Sequence, residues 1–297
     1  MDNIFPPVPL PLGIGTTELH WLSGGDFRLD GGTMFGPVPK SLWQKRYPAA
    51  IDNTILLAND PLLIRTPEYN ILVDSGLGNK LTPKQQAIFA STQWRLLSQL
   101  ALLGLKREDI DVVILTHADF DHAGGVVMRA EQGGEELTFP AAVHLMQEAE
   151  WQDVAAPCRR AQESYWPINF NALTKSGRMQ LVKGDYQVCP EVRICHTGGH
   201  TRGHQLVEIY SGGECAVHLG DLFPTHAHIN PLWVMAYDNF PLEVIACKER
   251  YFEQYRQRNA WFTFYHDPLI RACKLGDKGK IIECWPQVPA VFPATDS

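Results

Sequence analysis

The 297-residue sequence predicts an α/β fold in which sheets are sandwiched between helical layers. Short apolar runs of strand length come in two batches, one ending at residue 116 and one running from 192 to 265. Helix-period sequence follows each batch, most clearly over 242–258. With 45% hydrophobic and 20% charged residues, the composition is that of an ordinary globular chain able to bury a core.

Taken in order, residues 1–50 are rich in Pro and Gly and read as an irregular N-terminal arm packed on the core or as an extended edge, with Trp21 and Trp43 anchoring it to the core or to a partner chain. The main domain is expected to span 51–297. Its opening runs, 54–58, 62–66 and 71–74, are separated by Asn59-Asp60-Pro61 and Pro67-Glu68-Tyr69-Asn70, which predicts a β-meander. Thr82-Pro83 is a helix start, and the apolar spacing of Ile88, Leu96, Leu97, Leu100 and Leu103 carries the helix to Gly104. A buried strand follows at 111–116. Residues 147–156 read as helix, and 157–179 lack any period, so about 147–179 is expected to be a helical and loop insertion. Strands return at 192–196, 205–210 and 215–219, then the amphipathic helix 242–258, then a strand at 261–265 that runs into His266-Asp267.

Charge and composition narrow the function. Asp and Glu outnumber Lys and Arg by 33 to 26, a net −7 that argues against a nucleic-acid partner. No apolar run approaches the roughly 18 residues of a membrane span. The N-terminus has neither a basic region nor an apolar core of a secretory signal, so a cytoplasmic location is expected. The seven cysteines contain no Cys-x-x-Cys pair, which fits reduced thiols.

The chemistry concentrates in Leu115-Thr116-His117-Ala118-Asp119-Phe120-Asp121-His122-Ala123-Gly124-Gly125. His117, Asp119, Asp121 and His122 fall at the end of a predicted strand, where a tight loop aims them into one cavity. Imidazole and carboxylate are the usual ligands of zinc, iron and manganese. The pattern repeats downstream, in Thr197-Gly198-Gly199-His200-Thr201-Arg202-Gly203-His204, in Leu219-Gly220-Asp221 and in Phe264-Tyr265-His266-Asp267. Gly124-Gly125 is expected to let a helix approach the loop closely. His226 and His228 either line the pocket or are ordinary loop positions. His196, His20, His144 and His218 read as structural. Trp233, Tyr237, Phe240, Trp151, Tyr165 and Trp166 read as packing residues of the kind an apolar pocket wall also needs.

Over about residues 54–285 this order of motifs resembles the metallo-β-lactamase-fold hydrolases, which are marked by His-x-His-x-Asp-His and later His, Asp and His ligands. The stretch from Leu63-Ile64-Arg65 to Ile71-Leu72-Val73-Asp74-Ser75-Gly76 is similar to their opening hairpin. The resemblance implies a four-layer αββα sandwich and two divalent metal ions, zinc, iron or manganese. One ion would be held by His117, Asp119 and His200, the other by Asp121, His122 and His266, with Asp221 bridging and Asp74 and His204 orienting ligands from behind. It further implies hydrolysis of an ester or lactone of a small molecule by hydroxide held between the ions, with Asp121 and Asp221 as catalytic residues.

Asp119 departs from the pattern by standing where the family carries its second His. Four imidazoles and three carboxylates then face the metals, a less positive and harder site that shifts preference toward iron or manganese. A carboxylate there is similar to the family's di-iron branch, so a redox protein with a separate electron donor is the alternative, as is a non-catalytic metal scaffold. Within the family the chain looks most like the lactonases, although Leu222, Phe223 and Pro224 stand where they carry a Tyr after the bridging Asp. The expected partner is a small-molecule substrate, with no nucleic acid or membrane, and a homodimer through the proline-rich arm is a further expectation.

Overall fold

Two seven-stranded sheets stacked on one another organise the computed structural model, which describes residues 10–285. The first half of the chain runs β1 (Leu12–Ile14), β2 (Thr17–Trp21), β3 (Phe27–Asp30), α1 (Gly31–Phe35), α2 (Lys40–Trp43), β4 (Thr54–Leu57), β5 (Leu62–Arg65) and β6 (Asn70–Val73). It continues through α3 (Pro83–Phe89), α4 (Leu96–Leu102), β7 (Val112–Ile114), α5 (Phe120–Ala123), β8 (Val127–Arg129), β9 (Glu135–Leu137), β10 (Val143–Gln147), α6 (Glu148–Ala155), α7 (Asn171–Ser176) and β11 (Met179–Val182). The second half comprises β12 (Tyr186–Cys189), β13 (Val192–His196), β14 (Gln205–Ser211), β15 (Glu214–His218), α8 (Pro241–Gln257), β16 (Trp261–Thr263), β17 (Ala272–Leu275) and β18 (Ile281–Trp285).

The first sheet has the order β1-β2-β5-β6-β7-β10-β11, and the second runs β12 to β18 in sequence. Between them lies a core to which both contribute: Ile64, Ile71, Val73, Ile114 and Leu145 face Ile194, Val207, Ile209 and Ala216. Alternate residues on the same strands point outward. Leu63, Leu72 and Val113 pack under α4 and α7, while Cys195, Leu206 and Val217 pack under α8. Strands covered on both faces have no polar face to show, which is why they read as continuous apolar runs. The layering is helix, sheet, sheet, helix, as the resemblance implies.

Two sequence expectations are corrected and one alternative is decided. The N-terminal segment, read as an irregular arm or an extended edge, adds β1 and β2 to the edge of the first sheet, because Leu12, Ile14, Leu19 and Trp21 alternate inward onto its core. Residues 1–9 lie outside the described part. The predicted meander is broken, because β4 pairs with β3 in a separate ribbon and β5 pairs with β2 and β6. The single helix from Thr82 to Gly104 is two. Ala90 turns left-handed with φ 46°, and the next residues dock as extended chain: Thr92 N–H donates to Asp26 O at 2.8 Å and the Trp94 indole N–H to Ser75 O at 2.9 Å. Within the segment expected as an insertion, α6 and α7 form as helix and β11 joins the sheet beside β10. No helix among the described residues is long and apolar enough to cross a membrane.

Candidate metal centre

The site forms where chain segments leave the two sheets. β6 ends at Val73, just before Asp74, and β7 runs out through Thr116 and His117 into α5, whose short first turn carries Asp121 and His122. In the second sheet the β13–β14 connection supplies His200, the turn after β15 supplies Asp221, and the residues just beyond β16 supply His266. All seven residues singled out in the sequence are brought together. Their donor atoms fall into three groups, His117 with Asp119 and His200, Asp121 with His122 and His266, and His117 with His122 and Asp221, each spanning no more than 4.8 Å.

Asp119 Oδ2 lies 3.7 Å from His117 Nε2 and 3.6 Å from His200 Nε2. Asp121 Oδ2 lies 3.5 Å from His266 Nε2 and 3.8 Å from His122 Nε2. Asp221 reaches both halves: Oδ1 is 3.2 Å from the Nε2 of His122 and of His266, and Oδ2 is 3.6 Å from His200 Nε2. Asp119 thus stands as close to its imidazoles as Asp121 does to its own.

The ring orientations follow from what holds each imidazole behind. His122 Nδ1–H donates to Asp74 Oδ2 at 2.9 Å, and His200 Nδ1–H to Asp238 Oδ1 at 2.9 Å. His266 Nδ1–H donates to the Ala58 carbonyl at 2.8 Å. His117 Nδ1 meets the Thr116 hydroxyl at 3.0 Å, and that hydroxyl donates in turn to Asp74 Oδ2 at 2.7 Å. With each Nδ1 committed, the Nε2 lone pair of each ring faces the centre, the arrangement that metal-ligating histidines adopt. Asp74 therefore stands behind two rings, and its left-handed backbone, φ 60°, is part of that placement. His204 sits behind Asp221, whose backbone N–H donates to its Nε2 at 3.2 Å.

The electrostatics favour a cation. His117 Nε2, His200 Nε2 and Asp221 Oδ1 are buried without a hydrogen-bond partner, a costly arrangement for polar atoms unless a ligand satisfies them. Burial alone would lower the pKa of His122 and His200, yet the surrounding carboxylates raise both well above the ordinary value. Burial pushes the Asp121 carboxyl up. It would do the same to Asp221, but His266 and His122 hold that group well below the usual range. An imidazole and carboxylate donor set with unpartnered, inward-facing atoms fits bound metal.

Beside the cluster lies a cavity of about 250 Å³. Its apolar wall includes Phe27, Leu29, Met34, Leu57, Phe89, Phe120 and Met235, and its polar floor includes Asp119, Asp121, His200, Asp221 and His266. Tyr237 joins this wall, its hydroxyl 2.8 Å from Thr33 Oγ1. Trp166 stacks on Phe120 with ring centroids 4.6 Å apart, and Trp151 packs on Phe170 in the core. Trp233 packs edge-on to Phe35. Neither His226 nor His228 lines the cavity: His226 Nδ1 bonds Asp267 Oδ2 at 2.5 Å, and His228 stacks on Phe35. His196 bonds the Arg202 carbonyl, and His218 bonds Thr263.

Sequence reasoning missed three contributors. Asp238 orients His200 and is itself fixed by the Met235 N–H at 2.8 Å. Tyr265 stacks on His122 and donates to the Asp121 carbonyl at 2.8 Å. Glu150 is buried behind the loops, and burial pushes its carboxyl up to about 7. Asp238 and Glu150 carried no local signal, whereas Tyr265 was flagged only as the neighbour of His266.

The family model of the Metallo-beta-lactamase superfamily matches residues 55–243. A probable metal-dependent hydrolase from Staphylococcus aureus is 40% identical, superposes with a TM-score of 0.88, and is covered over 98% of its length by 92% of this chain. The dizinc quorum-quenching lactonase AidC, 22% identical, superposes with a TM-score of 0.75 over 95% of this chain and 97% of that one, a likeness of fold. An N-acyl homoserine lactonase of a Bacillus species is 30% identical over 165 residues, 51% of this chain and 58% of that protein, so the match spans little more than half of the relative. On the extent of the family match and the full-length likeness to the staphylococcal protein, the chain belongs to the metallo-β-lactamase superfamily.

Proposed function

We propose that this protein is a hydrolase that holds two divalent cations and cleaves an ester or lactone bond in an uncharged small molecule with an apolar arm. The observation that carries this reading is the convergence of seven metal-capable side chains, five of which, Asp119, Asp121, His200, Asp221 and His266, form the floor of a cavity whose wall is mostly apolar. His117, Asp119 and His200 would hold one cation, Asp121, His122 and His266 the other, and Asp221 reaches toward both. Bound there, the pair would supply Lewis-acid polarisation of a substrate carbonyl and an activated water as nucleophile.

The chain's own residues do the rest. Asp121 lines the cavity and is suited to take a proton during attack, at the carboxylate oxygen that does not meet the cation, and to return it to the leaving oxygen. Asp74, Asp238 and the Ala58 carbonyl hold the imidazoles in one tautomer. Phe27, Phe89, Phe120 and Met235 exclude water and accept an apolar arm. No Lys or Arg is among the described lining residues, so an anionic substrate finds no counter-charge from the protein. With three carboxylates in the donor set, manganese and iron compete better with zinc than at an all-imidazole site.

The test is a panel of neutral esters, lactones and phosphodiesters offered to metal-loaded protein, alongside Asp221→Asn and His122→Ala. Turnover of an ester or lactone that falls by about a thousandfold or more in both variants supports the reading. Full metal content and full rate in both variants would refute it.

A further inference from the structure

The carboxylate of Glu150 takes no part in the proposed chemistry and lies outside the cavity lining, yet it is completely buried. Four donors converge on it. Oε1 accepts from the Ala118 N–H at 2.9 Å and the Tyr165 hydroxyl at 3.2 Å; Oε2 accepts from the Thr201 hydroxyl at 2.7 Å and the Gly203 N–H at 3.1 Å. Ala118 lies between His117 and Asp119, and Thr201 follows His200. One side chain on α6 therefore ties together two loops that are far apart in sequence and that supply His117, Asp119 and His200, every donor of one half of the centre apart from the shared Asp221. Contact this close requires glycine at 203, where a Cβ would meet the Glu150 backbone nitrogen at 2.3 Å.

The other half, Asp121, His122 and His266, makes none of these contacts with Glu150; it is held by the Ala58 carbonyl, by Tyr265 and by Asp74, the last of which also reaches His117 through the Thr116 hydroxyl. We infer that Glu150 is a positioning residue that keeps Asp119 and His200 at a separation suited to sharing one cation, and so sets the affinity of that metal position and not of its neighbour. The inference rests on the two-cation reading above. Burying an acidic group is costly, and four hydrogen bonds aimed at both loops are what its retention gains. In Glu150→Gln an NH₂ group replaces one acceptor and opposes a pair of donors, so one loop loses its tie while most of the volume stays filled.

The experiment is calorimetric titration of metal-stripped protein with zinc, with thermal unfolding of the metal-free protein measured beside it. Wild type should take up two zinc ions per chain. Glu150→Gln should keep one at wild-type affinity and bind the other 10–100-fold more weakly, the usual cost of losing support behind a ligand. Its metal-free melting temperature should stay within a few degrees of wild type. Adding Asp119→Ala to Glu150→Gln should weaken that position by less than the product of the two single effects, because both act on it.

Two zinc ions bound by Glu150→Gln at wild-type affinity would overturn the positioning role and leave the two-cation reading standing. Equal weakening of both positions, with a lowered metal-free melting temperature, would also overturn it by showing a merely structural residue. No zinc uptake by wild type would overturn the two-cation reading itself, and the inference with it. Should Glu150→Gln fail to fold, Thr201→Val removes only the hydroxyl on the His200 side. It should weaken the same single position about fivefold, the worth of one buried hydrogen bond, and unchanged binding would overturn the inference.

Discussion

At the scale of the residue, Asp119 adds a carboxylate to the donor set where the sequence resemblance leads one to expect an imidazole, and its Oδ2 stands 3.6 Å from His200 Nε2. Asp119→His restores a fifth imidazole and is expected to shift the ratio of zinc to manganese affinity toward zinc by roughly tenfold, read by competition between the two ions. An unchanged ratio would show that this side chain does not meet the metal. Asp238 acts from behind: Asp238→Asn leaves the His200 Nδ1–H with a weaker acceptor and should cost about 10–100-fold in affinity at one position, measured by zinc titration. Loss at both positions, or at neither, would contradict that placement. The seven clustered residues were legible because ligands leave strand ends in short loops, and those loops carry their own signature of Gly, His and Asp. Asp238 was not legible, because 38 residues separate it from His200 and only the fold makes them neighbours. Glu150 was hidden for the same reason, inside a segment that reads as an ordinary helix.

At the scale of the element, the decisive piece is α5, a single turn carrying Asp121 and His122. It is pressed against the chain leaving β6: a Cβ on Gly125 would meet the Ser75 carbonyl oxygen at 2.2 Å and the Trp94 ring at 3.0 Å. Gly125→Ala is therefore expected to destabilise the protein by about 1–3 kcal/mol, the usual range for overpacking, and to weaken metal binding as α5 shifts. Chemical denaturation checks the first effect; an unchanged midpoint would mean that the contact is relieved at no cost. The role expected of Gly124-Gly125 follows from this close approach. Most strands bearing the site were legible from their apolar runs, and α8 from its period. The partner of β4 was not, since the sequence shows that a strand exists but not whether β3 or β5 lies beside it. The break between α3 and α4 was also hidden, because Ile88 and Leu96 keep helical spacing across a stretch whose backbone bonds go to Ser23 and Asp26 instead.

At the scale of the whole molecule, the two sheets bury several histidines away from the centre. His144 is buried on β10 with neither ring nitrogen bonded, and burial lowers its pKa to about 4. His218 and His228 are lowered in the same way, to about 4 and about 3. Below about pH 6.5 the unfolded chain takes up protons that the folded chain refuses until near pH 4, so this contribution to stability is present above 6.5 and is lost as pH falls through that window. His144→Leu removes one such group; its denaturation midpoint should drop less than that of wild type between pH 6.5 and 4, and parallel curves would contradict the assignment. The layered fold itself was legible from strands in two batches, whereas β1 and β2 were legible only as one of two readings, an extended edge beside an irregular arm, because Pro and Gly surround them. The proposed function requires that the two sheets deliver one two-cation hydrolytic centre. It is tested most directly by adding manganese or zinc stepwise to metal-stripped protein while following hydrolysis of a neutral, apolar-tailed ester or lactone. The rate is expected to be negligible without metal, to climb up to two equivalents per chain and to be flat beyond. A rate indifferent to metal, or no hydrolysis after two equivalents have bound, would contradict it.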